Sequence, residues 1–175
     1  RATGGNNEYR NLLISCYGDG GSSDASVNAM SVPTDTHPNH ICATFHSYDP
    51  YWFCSGNRHK EGESAAEKKK IDEDEKYYIY DFGEEQKAEI KAIFNRVDKK
   101  CGSLGIPYFF GEFGALGDHP EMTERAKYAD YVTSLCNEYK TAAFWWMGLL
   151  DRSTNTWLED EAPIVDAMVK NRINK

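Results

Sequence analysis

The chain has 175 residues, 40% of them apolar, enough for one ordinary domain with a real core and too many for a disordered chain. Acidic residues outnumber basic ones 28 to 20, a net charge of −8, so the positive footprint that phosphate backbones and anionic membranes select is absent and neither nucleic acid nor lipid is an expected partner. Aromatic residues reach 13%, with 11 Tyr, 8 Phe and 4 Trp, flat amphipathic rings suited to a ligand with faces to stack on, such as a sugar.

The chain opens at Arg1 without a Met or a basic-then-apolar leader, so a signal peptide is expected to be absent or removed, and no apolar run is long enough to predict a membrane span. After the loop ATGGNN, a first strand is predicted over 11–17 (NLLISCY), followed by a second loop, GDGGSSD. Neither glycine stretch matches a phosphate-binding signature. A second strand is predicted over 40–48 (HICATFHSY), then a charged insertion at about 57–76 that reads as a solvated excursion, partly helical over 64–74. An amphipathic helix over 84–102 places Ala88, Ile90, Ile93, Phe94 and Val97 largely at i, i+3, i+4 spacing and ends at a Cys-Gly pair suited to capping it. A third strand over 106–113 (IPYFFGEF), a helix over 121–140, a fourth strand over 141–149 (TAAFWWMGL) and a last helix over 159–173 complete the chain. The strand runs are nearly continuous in apolar residues, as in strands buried on both faces, and their alternation with helices predicts an α/β fold of right-handed βα units around a parallel sheet. The five cysteines, Cys16, Cys42, Cys54, Cys101 and Cys136, include no C-x-x-C pair, which excludes a zinc ribbon or thioredoxin-type redox motif.

Parallel α/β sheets carry their sites at the carboxyl ends of the strands, so the polar residues at which each run stops are the candidates. These are His46-Ser47-Tyr48-Asp49, Gly111-Glu112-Phe113-Gly114, and Trp145-Trp146 ahead of Asp151. Glu112 is the sharpest, a carboxylate at a buried strand end between glycines that admit close approach. An acid so placed is used in chemistry or satisfied by neighbouring backbone or an Arg. His46 taken alone reads first as a structural histidine. Trp145 and Trp146 are adjacent on a strand and point to opposite faces, so at least one belongs to the core. His37 and His40 lack a third ligand at useful spacing, and Asp72 and Asp74 lack the glycine and terminal Glu of a calcium loop, so no metal is expected.

Taken together, these segments resemble glycoside hydrolase family 5, the cellulase and endoglucanase family built on a (β/α)8 barrel. RATGGNNEYRNLLI is similar to the segment entering the fifth barrel strand, VPTDTHPNHICATFHSYDPYWF to the sixth with its His-x-Tyr pair, IPYFFGEFGA to the seventh with its nucleophile, and AAFWWMGLLD to the eighth. The resemblance covers nearly all of the chain except the charged insertion. It implies that Glu112 is the nucleophile and that Tyr48 and His46 support it. Trp146, or else Trp145, would form the stacking floor under the sugar, with Trp52 a further platform and no cofactor.

The family's general acid/base lies in an Asn-Glu-Pro motif on the fourth strand, and no such motif occurs here; Asn7-Glu8 and Asn137-Glu138 fall in a loop and on a helix. A whole barrel typically takes about 250 residues. The expectation is therefore one partial catalytic domain over 1–175, about strands five to eight, whose open edges call for an N-terminal half-barrel chain or a second copy of itself. The implied function is a retaining endo-β-1,4-glucanase acting on polysaccharide outside the cell or at its surface. The alternative is a non-catalytic carbohydrate-binding half-barrel that uses Trp52, Tyr48 and Trp146. A flavodoxin-like module would need an acidic cluster at the first strand's end, where only Asp19 stands.

Overall fold

The computed structural model describes residues 1, 3–18, 20–146 and 148–172. Four strands, β1 (Leu12–Ser15), β2 (Ile41–Ser47), β3 (Tyr108–Phe113) and β4 (Ala143–Trp145), lie parallel and in chain order across one sheet. They fall within the four predicted runs. The fourth run ends early as a strand, because the chain leaves the sheet after Trp145 and Leu150–Asp151 (β5) pairs antiparallel with Thr156–Trp157 (β6) in a separate ribbon. Asp19 lies outside the described residues.

Among the described residues six α-helices connect and cover the strands: α1 (Asp24–Ala29), α2 (Tyr51–Cys54), α3 (Ala65–Asp74), α4 (Glu84–Leu104), α5 (Met122–Tyr139) and α6 (Ala162–Lys170). The amphipathic pattern located α4 and α5, but α4 runs through the Cys101-Gly102 pair expected to end it and stops at Gly105, whose φ of 67° supplies the left-handed turn a C-cap needs. The last predicted helix begins as a 3-10 turn, Glu159–Glu161, and its predicted end at Ile173 lies outside the described residues. α1 and α2 are not among the predicted elements: α1 begins at the last residue of the GDGGSSD loop, and α2 lies beyond Tyr48, where the second strand is expected to end. They are too short to show a period, although the Ser23 hydroxyl caps α1 by accepting from the Ser26 amide.

The strands are not buried on both faces as their composition suggested. On β2, Ile41, Ala43, Phe45 and Ser47 are buried while Cys42, Thr44 and His46 are only half-buried, and β1 leaves Leu12 and Leu13 exposed. One face packs on helices through Val27, Phe94, Val97, Tyr128 and Val132, with Phe94 and Phe110 ring centroids 4.4 Å apart. The other face is open and carries Thr44, His46 and the Phe109–Phe144 contact.

Pairing of β2 with β3 slips by one residue between Phe45 and His46, so that Phe45 opposes Phe110 and His46 opposes Glu112. Gly111 is the extra residue of this bulge. It puts Phe110 and Phe113, three apart, together on the buried face. Glu112 thereby turns to the open face, where a regular pleat would aim it into the core.

The charged insertion is less free than its composition implies. A Ser64–Glu67 capping box starts α3, whose Ile71 is buried. Arg58 donates to the His119 carbonyl at 2.8 Å and to Glu121 at 2.6 Å, tying the insertion to the segment after β3. All five cysteines are free, and burial pushes the Cys101 and Cys136 thiols up to about 12, leaving them unreactive at neutral pH.

Candidate active site

The carboxyl ends of β2 and β3 bring three predicted residues together. Tyr48 Oη donates to Glu112 Oε2 at 2.7 Å, and His46 Nδ1 lies 3.3 Å from the same oxygen. Among the described residues Oε1 of Glu112 accepts no hydrogen bond, so one carboxylate oxygen is held and the other is open. The Glu112 side chain is 22% exposed, accessible yet walled. Burial, reinforced by the hydrogen bond to Glu112, raises the Tyr48 pKa far above its ordinary 10, keeping the phenol a donor throughout the physiological range.

Small residues make room for this arrangement. A Cβ on Gly111 would lie 2.5 Å from Thr44 Oγ1 and 3.4 Å from His46 Nε2, and one on Gly20 would lie 3.4 Å from the His46 ring. The backbone adds a clamp, since the His46 amide donates to the Gly20 carbonyl at 2.8 Å. His46 is therefore pinned between the loop after β1 and the bulge in β3.

Asp49, one residue past Tyr48, accepts from Ser47 Oγ at 2.9 Å and from Ser22 Oγ at 3.3 Å, fastening the end of β2 to that same loop. Thr44, Gly20 and the Ser22–Ser47–Asp49 links were not anticipated. Only the Ser-x-Asp spacing at 47 and 49 hinted at a local side-chain turn.

The two tryptophans separate in burial, Trp145 closing β4 and Trp146 lying just past it. Trp145 packs edge-on against Phe113 and Tyr128, at centroid distances of 5.3 and 6.3 Å, and belongs to the helix-facing core. Trp146 is 42% exposed, and its amide donates to the Phe113 carbonyl at 2.9 Å, beside the residue that follows Glu112. Trp52, on α2, is not brought to Glu112 by any contact among the described residues. Its ring stacks on Tyr77 at 5.1 Å, so one of its faces is already covered.

His37 and His40 stand apart from this site, His37 Nε2 at 3.4 Å from Glu8 and His40 Nδ1 at 2.9 Å from Asn11. Among the described residues no group of three or more His, Cys, Asp or Glu side chains is arranged to hold a metal ion. The site offers one anchored carboxylate, a phenol donor and an imidazole on one side of a sheet, with an exposed indole just past β4.

A sequence profile described as Cellulase (glycosyl hydrolase family 5) matches residues 1–148. Endoglucanase A of Clostridium longisporum is 28% identical over 189 residues, covering 99% of this chain and 32% of the relative. Endoglucanase A of Ruminococcus albus is 27% identical, covering 98% and 44%. A GH5 family lichenase from Caldicellulosiruptor sp. F32 superposes with a TM-score of 0.76 at 27% identity, over 98% of this chain and 46% of that one. A glycoside hydrolase family 5 enzyme from Prevotella bryantii B14 gives 0.75 at 26%, over 98% and 45%. The chain thus spans less than half the length of each of these proteins.

Proposed function

Because the chain belongs to glycosyl hydrolase family 5, we propose that it forms the nucleophile-bearing part of the catalytic barrel of a retaining β-glucan hydrolase, an endo-β-1,4-glucanase by first assignment. The observation that carries this reading is the convergence of Tyr48 and His46 on one oxygen of Glu112 at the end of a parallel strand. The open Oε1 attacks the anomeric carbon, the glycosidic C–O bond breaks, and a covalent glycosyl-enzyme forms; water then attacks the same carbon and releases Glu112, its proton passing to the second carboxyl that had protonated the leaving oxygen. Tyr48 holds Oε2 while the charge on the carboxylate leaves and returns. Trp146 supplies the stacking floor, and Trp145 remains core.

The leaving oxygen needs a proton from a second carboxyl about 5–5.5 Å from Glu112. The reading assigns β1 to β4 to the fifth to eighth strands of the (β/α)8 barrel, so this acid comes from strands outside these 175 residues. A preceding stretch of polypeptide or a separate N-terminal half-barrel chain would supply it, whereas a second copy of this chain would cover the open edges without adding that acid. Exposed Leu12 and Leu13 on β1 and Phe144 on β4 support such a complement. Endoglucanases and a lichenase among the relatives make soluble β-glucans the first substrates to test. A polymeric substrate places the enzyme outside the cell or on its surface.

A 2-deoxy-2-fluoro cellobioside with an activated aryl leaving group tests the assignment, because departure of that group needs little acid assistance. Peptide mass spectrometry is expected to find the sugar esterified to Glu112. Label on another residue overturns the nucleophile. Binding without an adduct favours a non-catalytic carbohydrate-binding role.

A further inference from the structure

Two segments form an aromatic wall, one of them continuing from the strand end that carries Tyr48. α2 starts three residues after Tyr48, and residues 77–80 return from the insertion to meet it, the Ile79 amide donating to the Trp52 carbonyl at 3.0 Å. Trp52 stacks on Tyr77, and Tyr51, Tyr77 and Tyr80 are exposed.

His119, seven residues past Glu112, lies behind this wall. It is 1% exposed, its ring stacks on Tyr78 at 4.4 Å and meets Tyr80 edge-on at 5.5 Å, and its Nε2 lies 3.1 Å from the Ile79 carbonyl. Two glycines make space for these rings. A Cβ on Gly56 would meet the Tyr78 ring at 2.6 Å, and one on Gly117 would meet His119 Nδ1 at 2.8 Å. Further bonds close the junction: Gly117 N–H donates to the Cys54 carbonyl at 2.8 Å, and Lys60 pairs with Asp118 at 2.7 Å. A buried imidazole thus joins the wall to the segment leaving the nucleophile strand, and nothing in the chemistry at Glu112 uses it.

We propose that His119 is a positioning residue for polymeric substrate, fastening the Trp52–Tyr77 wall to the strand that carries Glu112 so that glucan units beyond the cleaved bond rest in register with the nucleophile. The inference rests on the glucanase reading of the site. His119 touches no reacting atom, so its effect falls on KM for a long chain and not on kcat for a short one.

The test compares H119F, which keeps a ring but loses the bond to Ile79, with H119Q, whose amide is able to donate to that carbonyl. In the complete enzyme, H119F is expected to raise KM for soluble mixed-linkage β-glucan about tenfold, the loss of roughly one stacked contact, with kcat on an aryl cellobioside within about twofold. H119Q is expected to recover part of the difference, and Y78L, which removes the stacking partner, to reproduce the split. An unchanged KM, or equal losses on both substrates in step with the folded fraction, overturns the proposal.

Amide hydrogen exchange on the 175-residue chain gives a readout independent of catalysis. H119F is expected to speed exchange at 52–58 and 77–80 while β2 and β3 stay protected, and no change or a uniform change overturns the fastening role. A wild-type enzyme inactive on both substrates, with the exchange result intact, removes the glucanase reading and leaves the fastening in place.

Discussion

Replacing Tyr48 by Phe removes one atom whose position the structure defines closely. The phenol donates to Glu112 Oε2 at 2.7 Å, and its raised pKa means that it does so as a neutral donor at every working pH. Hydrogen bonds to charged groups contribute about 1.5–3 kcal/mol. Tyr48 is only half-buried and His46 remains 3.3 Å from the same oxygen, so the lower end applies, about 1.5–2 kcal/mol, or roughly 10- to 30-fold in the glycosylation rate. The ring itself stays, so the fall in melting temperature is expected to stay within what this one hydrogen bond contributes, at most several degrees. Pre-steady-state labelling by the fluorinated cellobioside measures this step directly, with thermal unfolding run in parallel. A change below about twofold would refute the argument that Tyr48 orients the nucleophile. A large loss accompanied by a fall in melting temperature beyond this hydrogen bond's share would show that the ring, and not the hydroxyl, was responsible. In an E112Q background Y48F should add almost nothing, because the two groups act as one unit.

Three further outcomes are expected. E112Q should lower glucanase activity more than about a hundredfold with folding nearly intact, since a covalent catalyst is worth several kcal/mol of barrier; residual activity above that level removes Glu112 as nucleophile. G111A places a methyl 2.5 Å from Thr44 Oγ1 and is expected to cost about 1–3 kcal/mol of stability by overpacking, much of it regained in G111A/T44A; denaturant midpoints that fail to recover in the double variant contradict the clash. Burial holds the His119 pKa below its ordinary 6.5, against the opposing pull of Asp118 and the Ile79, Trp52 and Gly56 carbonyls. The unfolded chain therefore binds more protons between that lowered value and 6.5, and the His119 contribution is complete above about pH 7 and is lost as pH falls below 6.5. The stability difference between wild type and H119Q should then shrink from pH 7.5 to pH 5.5, and a constant difference tells against it.

Legibility followed the length and periodicity of each segment. The twenty-one residues of α4 repeat their apolar face often enough to be read directly, whereas the six of α1 and four of α2 do not complete a pattern. Glu112, His46 and Tyr48 were readable as polar residues ending apolar runs, because a parallel sheet collects its strand ends on one side. Thr44, Gly20 and the Ser22–Asp49 link matter only through neighbours brought from other parts of the chain. Trp52 shows the same limit from the other side, its covering by Tyr77 depending on the return path of an insertion whose charges suggested only solvent.

The bulge at Gly111 makes the direction of Glu112 a question of phase. With 111 accommodated as an extra residue, 109 and 112 share the open side and 110 and 113 the packed side. Deleting Gly111 would leave that alternation regular and still present the carboxylate outward, but drawn back one step along the strand, away from the level of Tyr48. Lengthening the stretch between Phe110 and Glu112 by a residue the bulge does not absorb would turn the same carboxylate toward Phe94 and Val97. Single-site substitutions keep the count of residues and are blind to this distinction, so the tolerance of this strand to change is best mapped by insertions and deletions.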